Sequence, residues 1–179
     1  MSTTQILIAG FGGQGVLFAG KFLAYKGLCE GRQVSWLPSY GPEMRGGTAN
    51  CSVTLSDEPI GSPIITRPDI LIAMNLPSLD KYEDAVKPGG QIYVDSSLIE
   101  REIGRNDVSV YRIPATRMAS DSGLTTLANM IIMGKLLASS GAASSDGIGD
   151  ALKKVVSAKH ADLLDANLKA IEMGYNFEK

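Results

Sequence analysis

Short, solid apolar runs alternate along this chain with longer stretches whose apolar residues recur every three or four positions. Gln5-Ile-Leu-Ile-Ala-Gly10 and Asp69-Ile-Leu-Ile-Ala-Met74 are apolar at nearly every position. Such runs predict strands covered on both faces, as in a parallel sheet. Gln33-Val-Ser-Trp-Leu37, Gln91-Ile-Tyr-Val-Asp95 and Val108-Ser-Val-Tyr-Arg-Ile113 predict three further strands, the first stopped by Pro38. Thr48 to Leu55 alternates, with Ala49, Cys51, Val53 and Leu55 on one side. The segment leading into it is too short for a helical crossover, so an antiparallel insertion is expected there. Helical spacing marks Gly15 to Gly27, and Leu76 to Val86 with an outer face of Asp, Glu and Lys. Asp57 to Pro68, rich in proline, reads as a loop.

The last third changes character. Leu124 to Ser139 and Asp150 to Gly174 have helical spacing and no strand run, and the small residues of Ser139 to Gly149 connect them. Alternating strands and helices imply a parallel sheet covered on both sides. The expected fold class is therefore α/β: a three-layer, Rossmann-like, mostly parallel sheet with helices on both faces and a helical C-terminal third. Residues 1–179 are expected to form a single domain. From Leu124 to Ala138 apolar residues cover nearly every side, so that helix must be buried all round. A subunit interface or a central core position would satisfy it. The interface is the expectation, because a helix flanking a sheet normally keeps a polar outer face. Asn129 is its polar exception, suited to binding a backbone group.

Composition narrows the function. Of 179 residues, 44% are hydrophobic and 20% charged, which suits a folded globular domain. The net charge is -2, without the basic surface that nucleic acid requires. No apolar run reaches the roughly 18 residues of a membrane span, and no basic-then-apolar leader opens the chain, so a cytoplasmic location is expected. There are two cysteines, Cys29 and Cys51, and one histidine, His160. Structural zinc takes about four N/S ligands and a cubane cluster about four thiolates, so neither is assigned. No nucleophile with an adjacent base and no carboxylate pair stands out. No catalytic residue and no metal ligand is assigned, and the chain reads as a binding or assembly element.

Three motifs remain. Gly10-Phe-Gly-Gly-Gln-Gly15 contains G-x-G-x-x-G between a strand and a helix. There, glycines let backbone amides approach a phosphate at the helix start. A turn that only packs the helix against the sheet is the alternative. The second strand ends in Leu37-Pro-Ser-Tyr40 without the acidic residue a dinucleotide's ribose needs, so a standard NAD site is not expected. Gly15-Val-Leu-Phe-Ala-Gly20-Lys21 mimics a P-loop but continues with Phe22 where a hydroxyl is required. The second motif is Ser39-Tyr-Gly-Pro-Glu-Met-Arg-Gly-Gly-Thr48, lying where α/β ligand sites form. Arg45 can fork onto a carboxylate or phosphate, or pair with Glu43 in the turn. Tyr40 and Met44 suit an interface. Asn129-Met-Ile-Ile-Met-Gly134 is the third.

Taken together, Ile8-Ala-Gly-Phe-Gly-Gly-Gln-Gly-Val16, Ser39-Tyr-Gly-Pro-Glu-Met-Arg-Gly-Gly47 and Asn129 to Gly134 resemble the gamma subunit of 2-oxoacid:ferredoxin oxidoreductases, of the 2-oxoglutarate and branched-chain types. The resemblance covers essentially the whole chain. It implies one subunit of an enzyme that decarboxylates a 2-oxoacid, joins the acyl group to coenzyme A and reduces ferredoxin. Thiamine diphosphate, magnesium and iron–sulfur clusters are then expected in alpha, beta and delta-type partner chains, with coenzyme A as co-substrate and no cofactor held by this chain alone. The lone chain is expected to be inactive. Carried over by residue, Gly10, Gly12, Gly13, Gln14 and Gly15 would meet coenzyme A phosphates or a neighbouring chain. Tyr40, Gly41, Pro42, Glu43, Arg45, Gly46 and Gly47 would face the active-site mouth, and Asn129 and Gly134 match the third motif. A free-standing nucleotide- or coenzyme-A-binding protein, a structural spacer, and the beta subunit of indolepyruvate:ferredoxin oxidoreductase are the competing readings.

Overall fold

The computed structural model describes residues 2–40 and 48–178. Among them, six strands form one sheet: β1 (Thr3–Phe11), β2 (Gln33–Tyr40), β3 (Thr48–Ser56), β4 (Ile70–Ala73), β5 (Gln91–Asp95) and β6 (Ser109–Ile113), in the spatial order β2-β3-β1-β4-β5-β6. β1, β4, β5 and β6 run parallel, and β3 pairs antiparallel with both β1 and β2. The sheet is thus mostly parallel with one reversed strand, which is the antiparallel insertion expected at Thr48. β2 continues through Pro38, however, where the sequence suggested a stop. β2 is an edge strand, and an edge has outward positions at which a missing N–H forfeits no ladder bond.

Among the described residues six α-helices cover the sheet: α1 (Val16–Cys29), α2 (Leu76–Tyr82), α3 (Ala115–Asp121), α4 (Ala128–Ser139), α5 (Ile148–Val155) and α6 (Ala161–Tyr175). Ile6, Ile8, Ile70, Ile72 and Tyr93 point to the larger face, where α1, α3, α4, α5 and α6 pack. Leu7, Leu71, Ala73, Ile92 and Val94 point to the other, covered by Leu79 of α2, Val86 and Ile99. Strictly alternating burial on both sides explains why the central strands are apolar at every position. The stretch expected as one helix over Leu76 to Val86 is α2 followed by a 3₁₀ turn, Glu83–Ala85. Glu83 does not sit on an outer face. It is buried and accepts bonds from Arg101 Nη2 (2.5 Å) and Gly104 N (2.9 Å).

The helical third departs most from expectation. α4 starts at Ala128 rather than Leu124, and α3 precedes it unforeseen. Asp150 to Gly174 is broken into α5, a 3₁₀ turn capped by Ser157, and α6. The all-round apolar helix needs no second subunit to bury it. Met130, Ile131, Ile132, Met133 and Leu136 of α4 lie within this chain's own core, with Ala170 and Ile171 of α6 in the same cluster. Two glycines permit this contact. A Cβ on Gly134 would come within 2.8 Å of both the carbonyl carbon of Ile171 and the amide nitrogen of Tyr175. One on Gly174 would lie 2.7 Å from the carbonyl carbon of Ile131. Helix backbones therefore meet directly, and Gly134 of the third motif serves packing.

Candidate functional site

β1 sends α1 to the larger face and on to β2, whereas β4 sends α2 to the smaller face and on to β5. The sheet therefore switches direction between β1 and β4, and ligands of open α/β sheets bind beyond the strand ends at such a point. The first glycine motif is the loop at that place. Gly13 and Gly15 have φ of 92° and 72°, left-handed values that glycine adopts without strain. Gly15 is the N-cap of α1 and supplies no side chain. The first intrahelical bond is Ala19 N to Gly15 O at 3.0 Å. The amides of Val16, Leu17 and Phe18 precede that bond and find no acceptor among the described residues. With the exposed Gly12 and Gly13 they form an arc of donors at the positive end of a 14-residue helix.

Beside the arc lies an open hollow of about 280 Å³, lined by Phe11, Gly12, Gly13, Gly15, Val16, Leu17, Phe18 and Ala49. Its lining is largely apolar, and Phe11 is 37% exposed. The site thus combines donors for an anion with a shelf for an apolar or aromatic group.

Asn129 joins this loop from α4, although 114 residues separate it from Gly15. Its Nδ2 donates to Gly15 O at 3.0 Å, the backbone contact expected of it. Asn129 is 3% exposed, and its Oδ1 has no partner among the described residues. The contact fixes which end of the amide faces the loop, since a carbonyl accepts and only the Nδ2 end donates. A Cβ on Gly15 would stand 3.0 Å from Asn129 Cγ, so glycine is needed there for close approach as well as for φ. Gln14, expected to face a ligand, turns inward instead. Its Oε1 accepts from Phe11 N at 2.7 Å and its Nε2 donates to Met74 O at 2.9 Å.

The second motif falls at Gly41, Pro42, Glu43, Met44, Arg45, Gly46 and Gly47, outside the described residues, as does the side chain of Tyr40. Its two ends are described. Tyr40 closes β2, and Thr48 opens β3 opposite Phe11 of β1, next to the first loop. Cys51 packs behind the site, donating from Sγ to Val16 O at 3.5 Å, and burial pushes its thiol up to about 12. A thiol so buried, and so held in its neutral form, suits packing behind the loop. Sequence reasoning missed Met74, whose carbonyl anchors Gln14. No motif marks it, because it acts through its backbone.

Residues 5–177 match the family model described as pyruvate ferredoxin/flavodoxin oxidoreductase. The chain belongs to that family. Among curated proteins it is 40% identical over 171 residues to the ketoisovalerate oxidoreductase subunit VorA of Methanothermobacter thermautotrophicus, covering 95% of this chain and 35% of that protein. The chain thus spans about a third of the length of that relative. A crystal structure of a keto/oxoacid ferredoxin oxidoreductase gamma subunit from Geobacter sulfurreducens superposes with a TM-score of 0.84 at 29% identity, covering 98% of this chain and 95% of that one. A 2-oxoglutarate:ferredoxin oxidoreductase from Magnetococcus marinus, solved with 2-oxoglutarate, coenzyme A and succinyl-CoA bound, gives 0.86 at 25% identity, covering 98% of this chain and 31% of that one. The same fold therefore occurs both as a separate gamma chain and within a much longer one. Among the described residues no helix is long and apolar enough to cross a membrane.

Proposed function

We propose that this chain is the gamma-type subunit of a thiamine-diphosphate-dependent 2-oxoacid:ferredoxin oxidoreductase and forms part of its coenzyme A site. The observation that carries the proposal is the donor arc of Gly12, Gly13, Val16, Leu17 and Phe18 beside an apolar hollow, at the switch point of the sheet. Coenzyme A has phosphates for such an arc and a pantetheine arm and adenine for such a shelf. Support comes from the Magnetococcus enzyme, which was solved with coenzyme A and succinyl-CoA. Redox and carbanion chemistry then belongs to partner alpha and beta chains, with a ferredoxin-like delta chain where present. Two cysteines, one of them buried as a raised-pKa thiol, fall short of the roughly four thiolates of a cluster. Coenzyme A binding, carbanion chemistry on thiamine diphosphate and electron transfer to ferredoxin would thus be divided among chains.

The test is anoxic affinity purification of this chain from its own cells, with mass spectrometry of what accompanies it. Co-purification of larger chains carrying thiamine diphosphate is expected, together with 2-oxoacid- and coenzyme-A-dependent reduction of ferredoxin. Comparing 2-oxoglutarate with branched-chain 2-oxoacids then identifies the substrate. In the assembled enzyme Arg45→Ala is expected to raise the KM for coenzyme A or to weaken assembly. A chain that purifies alone and turns over or binds nucleotides by itself would reverse the assignment.

A further inference from the structure

The glycine signature promises more room than the folded loop leaves. The crevice at the switch point lies between β1 and β4. Its floor is the last rung of their ladder, where Met74 N donates to Ala9 O at 2.9 Å. One step beyond, the Gln14 carboxamide bridges the two strand ends, accepting from Phe11 N and donating to Met74 O. It works as an inserted peptide group, adding a rung across the crevice that a dinucleotide spans in such folds, beside the helix N-terminus where its pyrophosphate sits. Its orientation is fixed, because Phe11 N only donates and Met74 O only accepts. Gly10 is tied to the same arrangement, since a Cβ there would lie 2.6 Å from Gln14 Oε1 and 3.0 Å from Met74 Cβ. The first glycine of the motif therefore admits a side chain of the protein itself.

We propose that Gln14 is a specificity-determining residue, whose carboxamide closes the switch-point crevice that a dinucleotide would have to cross and leaves a ligand's phosphate only the outer arc of amides. The proposal rests on the phosphate-binding reading of this loop given above. Two features support it. The Phe11 amide, which would otherwise point into the crevice, is already engaged. The donors left over, at Gly12, Gly13, Val16, Leu17 and Phe18, sit next to the hollow lined by Phe11, Leu17, Phe18 and Ala49. The ligand class that fits is a phosphate ester gripped at the rim, with the rest of the molecule leading outward over the apolar shelf. A dinucleotide threaded between the strands does not fit.

The test uses the full chain with NADH as probe, followed by its fluorescence, and inorganic pyrophosphate as competitor. Gln14→Ala empties the crevice, and Gln14→Ser does so while leaving a small polar group near Phe11 N. Either variant is expected to bind NADH at least tenfold more tightly than the wild-type chain, with pyrophosphate abolishing the gain. A folded variant with no gain overturns the proposal. A second readout needs no variant: amide NMR of the wild-type chain titrated with inorganic pyrophosphate. The amides of Gly12, Gly13 and Val16 are expected to shift, while the Phe11 amide and the Gln14 side-chain NH₂ stay in place. Movement of that pair, or no shift anywhere, overturns the proposal. The subunit assignment is judged by co-purifying chains and by turnover, so either claim can fail while the other stands.

Discussion

Replacing Gly134 by alanine sets two effects of opposite sign against each other. Alanine in a helix interior is favoured over glycine by about 1 kcal/mol. Against this, the new methyl must enter a helix crossing where its Cβ would be 2.8 Å from the Ile171 carbonyl carbon and 2.8 Å from Tyr175 N. An ordinary contact there needs roughly 3.4 Å or more, and the Ile171 carbonyl oxygen stands closer still, so α4 and α6 must separate by more than about 0.6 Å. Both colliding groups are backbone and cannot rotate away. A gap of that order forfeits at least about a quarter of each dispersion contact, and a buried side chain makes about 50 contacts of roughly 0.15 kcal/mol. That is about 2 kcal/mol for each large side chain lifted off, and Ile131 and Ile171 both sit at the crossing. Packing wins, for a net loss of about 2–4 kcal/mol, in line with overpacked cores. At about 2–4 °C per kcal/mol for a chain this size, Tm is expected to fall by roughly 5–15 °C. Gly149 of α5 is the control, because a Cβ there meets nothing within 4 Å. Gly149→Ala is expected to be neutral or to stabilise by up to about 1 kcal/mol. Urea and thermal unfolding of both variants decide the matter. A Gly134→Ala chain as stable as wild type would refute the direct backbone contact.

Three other outcomes follow from the same geometry. Burial alone would raise the Glu30 carboxyl, but the buried Lys26 ammonium and two bonds from Ser144 outweigh it and hold Glu30 below its ordinary value near 4.5. A depressed folded pKa stabilises at pH above the unfolded value and is lost as pH falls through the folded one. Urea midpoints between pH 6 and 3 should therefore drop on the acid side, and Glu30→Gln should flatten that limb. Iodoacetamide at pH 8 is expected to label the exposed Cys29 and to spare Cys51, which should react only in denaturant. Intact-mass measurement distinguishes one adduct from two. Asn129→Asp is expected to destabilise more than Asn129→Ala, because it sets a buried carboxylate oxygen against the Gly15 carbonyl. Equal unfolding midpoints would contradict the assigned amide orientation.

The central strands were legible in the sequence because a strand buried on both faces must be apolar throughout, and few other elements are. β3 was legible as an insertion because chain length forbids a crossover. Pro38 misled, since a proline argues against a strand only where its missing N–H is needed. α3, Ala-Thr-Arg-Met-Ala-Ser-Asp, escaped notice because it buries only Ala115 and Ala119 and shows no large apolar stripe. α4 was correctly read as buried all round, but its cover was sought in another subunit. The useful signal was a second glycine, Gly174, in the last helical stretch, which lets α6 approach closely enough to supply that cover. At the site the glycines identified the loop, yet glycine content does not say whether the space it creates is taken by a ligand or by Gln14. That depends on Met74 O, a group every residue possesses.

The dependence of α4 on α6 also governs when the chain becomes safe from aggregation during synthesis. The sheet is complete once β6 ends at Ile113, whereas α6 begins only at Ala161. A chain that reaches the end of α5 at Val155 but not α6 holds a finished sheet whose larger face still lacks that helix, with Ile131 and its neighbours open to water or to other chains. Transiently bare apolar surface of that kind invites self-association and chaperone capture. Truncations that spare every strand and the whole glycine loop, but remove α6, should therefore accumulate as insoluble protein.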